Sequence, residues 1–148
     1  MNVENYLTEM ETLYLALADK TRLRLLNLMR RDEICVCFFT EVLGESQPKI
    51  SRHLAYLRNA GIVEARREGK WMNYRIIMPE NIYAAKILLD TLDWLQSQNG
   101  MQDDYKKLVN VCCSLEMPVT IARAPKPYTL LETNVSYKPK EELETFLL

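Results

Sequence analysis

The chain has 148 residues, of which 48% are hydrophobic and 26% are charged, and its net charge is −1. This composition is that of an ordinary globular protein, and no apolar run reaches the roughly 20 residues that a membrane-spanning helix needs. The acid-containing start MNVENYLTEMETLY lacks the basic-then-apolar order of a signal peptide, so we expect a cytoplasmic protein. Its four cysteines should then stay reduced, which favours metal binding or redox sensing over a disulfide framework.

The small net charge hides an uneven distribution along the chain. Residues 1–46 and residues 76–148 each carry a net charge of −3. Residues 47–75 carry seven Lys and Arg against two acids, a net charge of +5. A local basic segment of this kind is what binding to nucleic-acid phosphates requires, although a solvated surface gives the same pattern.

Helical spacing of apolar residues predicts a first helix over residues 4–18. Asp19 has the side chain of a helix N-cap and should begin a second helix that continues to about Met29. The acidic pair at 32–33 is expected to open a short third helix, because acids are favoured near a helix N-terminus. Gly44 is expected to end that third helix.

A fourth helix is predicted from Gln47 to about Asn59, with Ser46 as its N-cap. Its apolar residues Ile50, Leu54 and Leu57 form one narrow stripe that should face the core. The opposite side of the helix is polar and basic, and two small or compact residues allow it to approach a surface closely. That side consists of Pro48, Lys49, Arg52, Ala55, Tyr56 and Asn59.

A two-stranded β-hairpin is predicted over residues 62–67 and 71–77, with Gly69 in the turn. Four basic side chains lie in or next to it: Arg66, Arg67, Lys70 and Arg75. A helix, a short glycine-containing turn and a basic-faced helix, followed by a basic hairpin, predict a winged helix-turn-helix.

The remaining chain is predicted to add two helices. The helix over residues 81–98 is apolar on more than one side, and in so small a domain the second side should be buried by a partner subunit. A shorter helix is predicted over about 101–115, and an irregular tail over 117–148 with a short strand near 128–131. The expected division is a DNA-binding and dimerisation domain over residues 1–98 and a C-terminal extension over 99–148.

Three segments resemble the arsenic-repressor (ArsR/SmtB) family, and the resemblance covers roughly residues 5–98. These segments are ADKTRLRLL at 18–26, SQPKISRHL at 46–54, and LRNAGIV at 57–63 with RREGKW at 66–71. The resemblance implies an α/β, mostly α, winged helix-turn-helix that forms an intertwined homodimer through its terminal helices. It further implies a transcriptional repressor that binds double-stranded DNA carrying an inverted repeat.

The family's DNA-contacting positions carry over to the fourth helix and the hairpin. Arg52 suits guanine and Gln47 suits adenine, while Arg67 and Lys70 would hold phosphates from the wing. His53, the single histidine, is expected on the helix surface or close to the DNA, and not as a ligand. The full set expected at DNA is Ser46, Gln47, Pro48, Lys49, Ser51, Arg52, Tyr56, Arg67 and Lys70.

The segment Glu33–Phe38, EICVCF, resembles the Cys-Val-Cys sensing motif of arsenite-responsive members of the family. Trivalent arsenic and antimony, As(III) and Sb(III), are the implied effectors, because soft ions select thiolate ligands. No organic cofactor is expected. On a regular helix, residues two apart point about 200° away from each other. One ion can therefore bridge Cys35 and Cys37 only where the start of that helix is distorted.

Two departures from the family pattern extend the candidate effector site to Cys112 and Cys113. Phe38 replaces an acid, and Thr40 stands where a third cysteine often follows. The missing thiolate is expected from Cys112 and Cys113, so that all four cysteines are candidate ligands. The sequence leaves open which subunit supplies them, and an intertwined dimer offers a route to the partner's Cys35 and Cys37. Packing as small hydrophobic residues is the alternative for the vicinal pair.

Other functions remain open at this stage. The same thiols would serve a repressor that senses oxidation, or one that senses cadmium or zinc. A thiol-redox enzyme and a winged helix used only for protein contacts are the alternatives from other classes. We expect no enzyme, since the sequence carries no Ser-His-Asp order, glycine-rich phosphate loop or Cys-x-x-Cys motif.

Overall fold

The computed structural model describes residues 3–113 and 121–128, and it places six helices and three strands in this part of the chain. Most of the tail predicted over 117–148, including residues 129–131 of its predicted strand, lies outside the described residues. The elements in chain order are α1 (Val3–Leu17), α2 (Lys20–Leu28), β1 (Ile34–Cys35), α3 (Val36–Leu43), α4 (Gln47–Asn59), β2 (Val63–Glu68), β3 (Trp71–Ile76), α5 (Ile82–Ser97) and α6 (Asn99–Cys113).

The predicted helix-turn-helix is confirmed in α3 and α4. Gly44 ends α3 in the left-handed conformation (φ 66°), and the Ser46 side chain accepts a hydrogen bond from the Lys49 backbone N–H at the start of α4. Burial of the apolar stripe holds α4 in place, because each such side chain contributes about 1.5–3 kcal/mol when fully removed from water. The fully buried large side chains of α2, α3 and α4 are Leu25, Leu26, Leu28, Phe38, Phe39, Ile50, Leu54 and Leu57.

The predicted hairpin is confirmed, but it belongs to a three-stranded antiparallel sheet in the order β1-β3-β2. The prediction that residues 32–33 open the third helix is wrong, because Ile34 and Cys35 pair with Tyr74 and Asn73 of β3. Pairing satisfies the backbone groups of this segment and buries both side chains, which outweighs the local preference for a helix. The helix α3 therefore begins at Val36.

Helix α6 is joined to the core by apolar and polar contacts. Helix α6 packs against α2 and α3, and its Leu108 and Cys112 belong to the common core. Arg24 of α2 donates two hydrogen bonds to the buried Asp104 carboxylate, over 2.7 and 3.0 Å. The side chain of Asn27 donates to the backbone oxygen of Met101 over 2.8 Å. These polar contacts fix how α6 sits on α2.

Helices α1 and α5, in contrast, expose large apolar side chains: Val3, Tyr6, Leu7, Tyr14 and Leu15 on α1, and Ile82, Tyr83, Leu89 and Trp94 on α5. A groove of about 750 Å³ lies between the starts of the two helices, lined by Tyr6, Leu7, Glu9, Met10, Glu80, Asn81, Ile82 and Tyr83. None of the helices in the described ranges is long and apolar enough to cross a membrane.

Candidate DNA-binding surface and thiol site

Helix α4 presents the face that the sequence predicted to contact DNA. Ser46, Gln47, Pro48 and Arg52 are exposed, and Lys49 and Ser51 are partly exposed. The Lys49 ammonium forms an ion pair with Glu45 over 2.8 Å. This pair is an exposed surface contact of the kind that stabilises a fold little, so it leaves the ammonium available to a phosphate.

The remaining α4 candidate, Tyr56, is held in place by a residue that the sequence did not single out. The guanidinium carbon of Arg22 lies 4.1 Å from the centre of the Tyr56 ring. Arg22 also donates hydrogen bonds to the backbone oxygens of Ala16 and Leu15, over 2.8 and 2.9 Å. The end of α1 thereby supports the exposed face of α4. Only the three-dimensional packing of α1, α2 and α4 reveals this role.

His53 is partly exposed and packs between α4 and the start of α2. Its Nδ1 lies 3.7 Å from Asp19 and 3.4 Å from the guanidinium of Arg22. Burial opposes ionisation of Asp19, yet the backbone hydrogen bond from Arg22 and the charges of His53 and Arg22 lower the pKa of that carboxyl. The expectation that His53 lies outside the ligand set stays a prediction.

The hairpin divides its four basic side chains into two pairs. Arg66 is bound by Glu33 and Glu68, and Arg75 is paired with Glu64. Arg67 and Lys70 are exposed, and no ion pair joins either of them to another residue in the described part of the chain. Arg67 and Lys70 are therefore the two wing residues that remain available to phosphates.

The junction between β1 and α3 brings Cys35 and Cys37 together. Cys35 is the last residue of β1 and the N-cap of α3, with an extended backbone (φ −67°, ψ 139°), and Cys37 is the second residue of α3. Their sulfur atoms are 3.1 Å apart. The 200° separation expected on a regular helix does not apply, because Cys35 lies outside the helix.

This contact makes the two thiols chemically unequal. The hydrogen bond from the Cys37 thiol outweighs burial and lowers the pKa of Cys35 to about 7, while the same contact and burial raise the pKa of Cys37. The pair therefore places a thiol that ionises readily beside one that keeps its proton. Thiolate is the form of cysteine that binds metals and metalloids.

Asn73 connects the thiol pair to the wing. It is the β3 residue opposite Cys35, and on its other side it pairs with Arg66 of β2. Its side-chain nitrogen donates to a Glu68 carboxylate oxygen over 3.0 Å, and the Arg66 guanidinium donates to the same oxygen over 3.1 Å. Nothing in the sequence marked Asn73, because its position follows from the unpredicted pairing of β1 with β3.

Cys112 and Cys113 do not join the other two cysteines within one chain. Cys112 is buried, and burial is the main reason that its pKa is raised to about 12, whereas Cys113 is exposed. Among the described residues, no group of three or more His, Cys, Asp or Glu side chains converges on one point. A site that joins Cys112 and Cys113 to Cys35 and Cys37 therefore stays a prediction, and it requires a second subunit.

Comparison with known proteins places these features in context. Residues 19–65 match the family model described as "Bacterial regulatory protein, arsR family". The chain is 41% identical over 103 residues to the arsenical resistance operon repressor of Escherichia coli, a match that covers 69% of this chain and 86% of the relative. It is 57% identical over 61 residues to the arsenic resistance transcriptional regulator ArsR1 of Pseudomonas putida, covering 40% of this chain and about half (48%) of that relative. The structure of HlyU from Vibrio cholerae superposes with a TM-score of 0.54 at 26% identity, covering 66% of this chain and all of HlyU.

The thiol pair predicts a specific response to substitution at position 37. Cys37→Ala removes the hydrogen-bond donor, so the pKa of Cys35 should rise from about 7 toward the ordinary thiol value. Cys37→Ser keeps a donor and should hold the pKa of Cys35 low. Ultraviolet thiolate absorbance measured against pH, in a Cys112→Ser, Cys113→Ser background, follows this titration. Equal pKa values for Cys35 in the two variants would contradict the assigned hydrogen bond.

Proposed function

Because the chain belongs to the arsR family of bacterial regulatory proteins, we propose that it is a cytoplasmic transcriptional repressor whose operator complex is released by trivalent arsenic or antimony. The observation that carries this proposal is the contact between the Cys35 and Cys37 sulfurs at 3.1 Å. Thiolates at this separation suit a soft, thiophilic ion. The sequence similarity to an arsenical resistance operon repressor supports arsenic and antimony as the effectors.

DNA recognition is assigned to the outer face of α4 and to the wing. In this assignment Arg52 and Gln47 read base edges in the major groove, while Lys49, Arg67 and Lys70 bind phosphates. Ser46, Pro48, Ser51 and Tyr56 complete the surface, and the contact from Arg22 fixes the orientation of the Tyr56 ring. Two such surfaces, about one turn of DNA apart, match an inverted repeat.

A homodimer formed through α1 and α5 would hold the two DNA-reading surfaces at a fixed distance from each other. Both helices expose apolar side chains next to the groove at their starts, a surface that a second copy of the chain would remove from water. A symmetric dimer covers such a surface with the same surface of the partner.

Release is proposed to begin where the thiol pair meets the DNA-binding elements. Helix α3, which begins beside Cys35, packs against α4, and β1 pairs with β3 of the wing. An ion that draws the two sulfurs into its own coordination geometry must shift β1, the first turn of α3, or both. Operator affinity then falls to the extent that the ion binds the shifted arrangement more tightly.

Oxidation sensing is the second candidate, because the thiol contact also favours it. A peroxide would convert the Cys35 thiolate to a sulfenic acid, and attack by Cys37 would form a disulfide with release of water. Cadmium or zinc sensing has weaker support, since a structural zinc site needs four ligands and the described residues bring together two. Titrating the operator complex with arsenite, antimonite, cadmium, zinc and peroxide distinguishes these effectors. Release by peroxide alone would replace the arsenic proposal.

The assigned reading face predicts the effect of Arg52→Ala. Loss of one bidentate base contact should weaken operator binding by about 1–3 kcal/mol, roughly fivefold to 150-fold, while the fold stays intact. Fluorescence anisotropy with operator DNA and with scrambled DNA separates sequence-specific from general binding. The matched control is Arg58→Ala, since Arg58 is exposed on the same helix about 120° away from Arg52. Equal losses in the two variants would remove α4 from the proposed reading role.

The proposed effector site predicts opposite outcomes for two double variants. Cys35→Ser with Cys37→Ser should bind the operator normally and resist release by arsenite. Cys112→Ser with Cys113→Ser should still be released, because the buried Cys112 is a poor source of thiolate. Anisotropy of the operator complex during an arsenite titration measures both. Loss of release in the second variant would support the joint site across two subunits.

If the dimer forms through α1 and α5, charged side chains introduced on the apolar surface of these helices should weaken dimerisation. Leu7→Glu with Ile82→Glu places carboxylates in the groove between α1 and α5 and should shift sedimentation toward the monomer. Lys106→Glu, an exposed change on α6, is the control and should leave the dimer intact. A double variant that sediments as the parent protein does would assign dimerisation to another surface.

A further inference from the structure

The side-chain oxygen of Asn73 is buried and has no hydrogen-bond partner. Asn73 itself is only 3% exposed. A buried acceptor left unpaired costs about 1–3 kcal/mol, so such an atom often marks a place where a ligand binds. The other half of the same amide is satisfied, since its nitrogen donates to Glu68 over 3.0 Å.

The contact with Glu68 fixes which way the amide faces. A carboxylate only accepts hydrogen bonds, so the atom that faces Glu68 must be the nitrogen. The atom without a partner is therefore the oxygen. Asn73 lies on β3, the central strand, so it has β2 on one side and β1 on the other.

The residue opposite Asn73 on β1 is Cys35. Cys35 and Asn73 are opposite each other in the antiparallel pair, so their side chains leave the same face of the sheet with Cβ atoms about 4.5–5.5 Å apart. Cys35 is completely buried and in contact with the Cys37 sulfur. The unpaired oxygen thus belongs to the residue that is paired with Cys35 across the sheet.

The chemistry of trivalent arsenic calls for such a neighbour. Arsenite in water near neutral pH is As(OH)₃. The two cysteine sulfurs replace two of its hydroxyl groups: two As–S bonds form, two As–O bonds break, and the hydroxyls leave as two water molecules. One proton comes from the Cys37 thiol, and the other comes from the Cys35 thiol or, when Cys35 is already a thiolate, from solvent. The bound species keeps one As–OH group, whose proton needs an acceptor once it is buried.

We propose that the Asn73 side-chain oxygen accepts a hydrogen bond from the hydroxyl group that arsenic or antimony keeps when Cys35 and Cys37 bind it. This inference rests on the proposed function and adds an oxygen contact to a site otherwise built of sulfur. It accounts for a third contact at a position where the described chain offers no third thiol. It also gives the site a preference for hydroxylated trivalent metalloids over ions that carry no such group.

The same hydrogen bond would connect effector binding to the wing. Asn73 shares a Glu68 oxygen with Arg66, and Arg66 also binds Glu33, two residues before Cys35. A new bond to one end of the Asn73 amide therefore acts on a hydrogen-bonded network that ends in β2. That network holds the strand that carries Arg67.

The test compares two arsenic compounds that differ in this one group. Methylarsonous acid also reacts with two thiols and loses two hydroxyls as water, but it keeps a methyl group where arsenite keeps a hydroxyl. Affinities of both compounds are measured by calorimetry for the full chain and for Asn73→Leu, which preserves side-chain size without an acceptor. Thr40→Val is the control, because it removes a side-chain hydroxyl next to the thiol pair. That hydroxyl already donates a hydrogen bond to the Cys37 backbone oxygen over 2.8 Å.

Asn73→Leu should weaken arsenite binding roughly fivefold to tenfold, the effect of one lost hydrogen bond, and leave methylarsonous acid unaffected. Thr40→Val should not change the affinity for arsenite relative to the affinity for methylarsonous acid. X-ray absorption on the arsenite complex of the unaltered chain needs no variant, and it should give two sulfurs and one oxygen around arsenic. Three sulfurs, or equal changes for the two compounds in Asn73→Leu, would overturn the proposal. The proposed function itself fails in a different way, if the unaltered chain binds arsenite no better than Cys35→Ser with Cys37→Ser.

Discussion

The pairing of β1 with β3 is the constraint on which the proposed site depends. It covers only Ile34 and Cys35, yet it removes Cys35 from the helix that the local sequence favours and makes it the N-cap of α3. From that position its sulfur lies 3.1 Å from the Cys37 sulfur. Without the pairing, the two thiols would point to different sides of one helix, and a shared ion would have to distort it.

The same pairing explains how a small site can act on DNA recognition. Strand β3 lies between β1 and β2, so β1, which leads into α3, is joined to the wing through the sheet. Helix α6 packs on α2 and α3, and the ion pair between Arg24 and the buried Asp104 carboxylate joins it to α2. A rigid surround favours a switch between two arrangements over gradual deformation. The short junction is therefore a suitable place for an effector to act.

Much of this architecture is readable from the sequence, and the exceptions share a physical cause. The apolar stripe and the Ser46 cap placed α4 at the residues where it is found, and Gly69 in its turn placed the hairpin. Strand β1 has two residues, too few for an alternating pattern, and the acids before it imitate a helix start. Asn73 and the contacts of His53 were missed because they follow from strand register and helix packing. Whether Cys112 and Cys113 contribute depends on a second subunit, which one sequence does not place.

The central claim is that effector binding at the thiol junction and operator binding by α4 and the wing oppose each other energetically. The most direct measurement is the arsenite affinity of the protein with and without saturating operator DNA. Linkage requires that the operator weaken arsenite binding by the same factor by which arsenite weakens operator binding. The two factors by which arsenite and operator weaken each other's binding should be equal and well above one. With scrambled DNA in place of the operator, the arsenite affinity should not change. An arsenite affinity that is indifferent to the operator would contradict it.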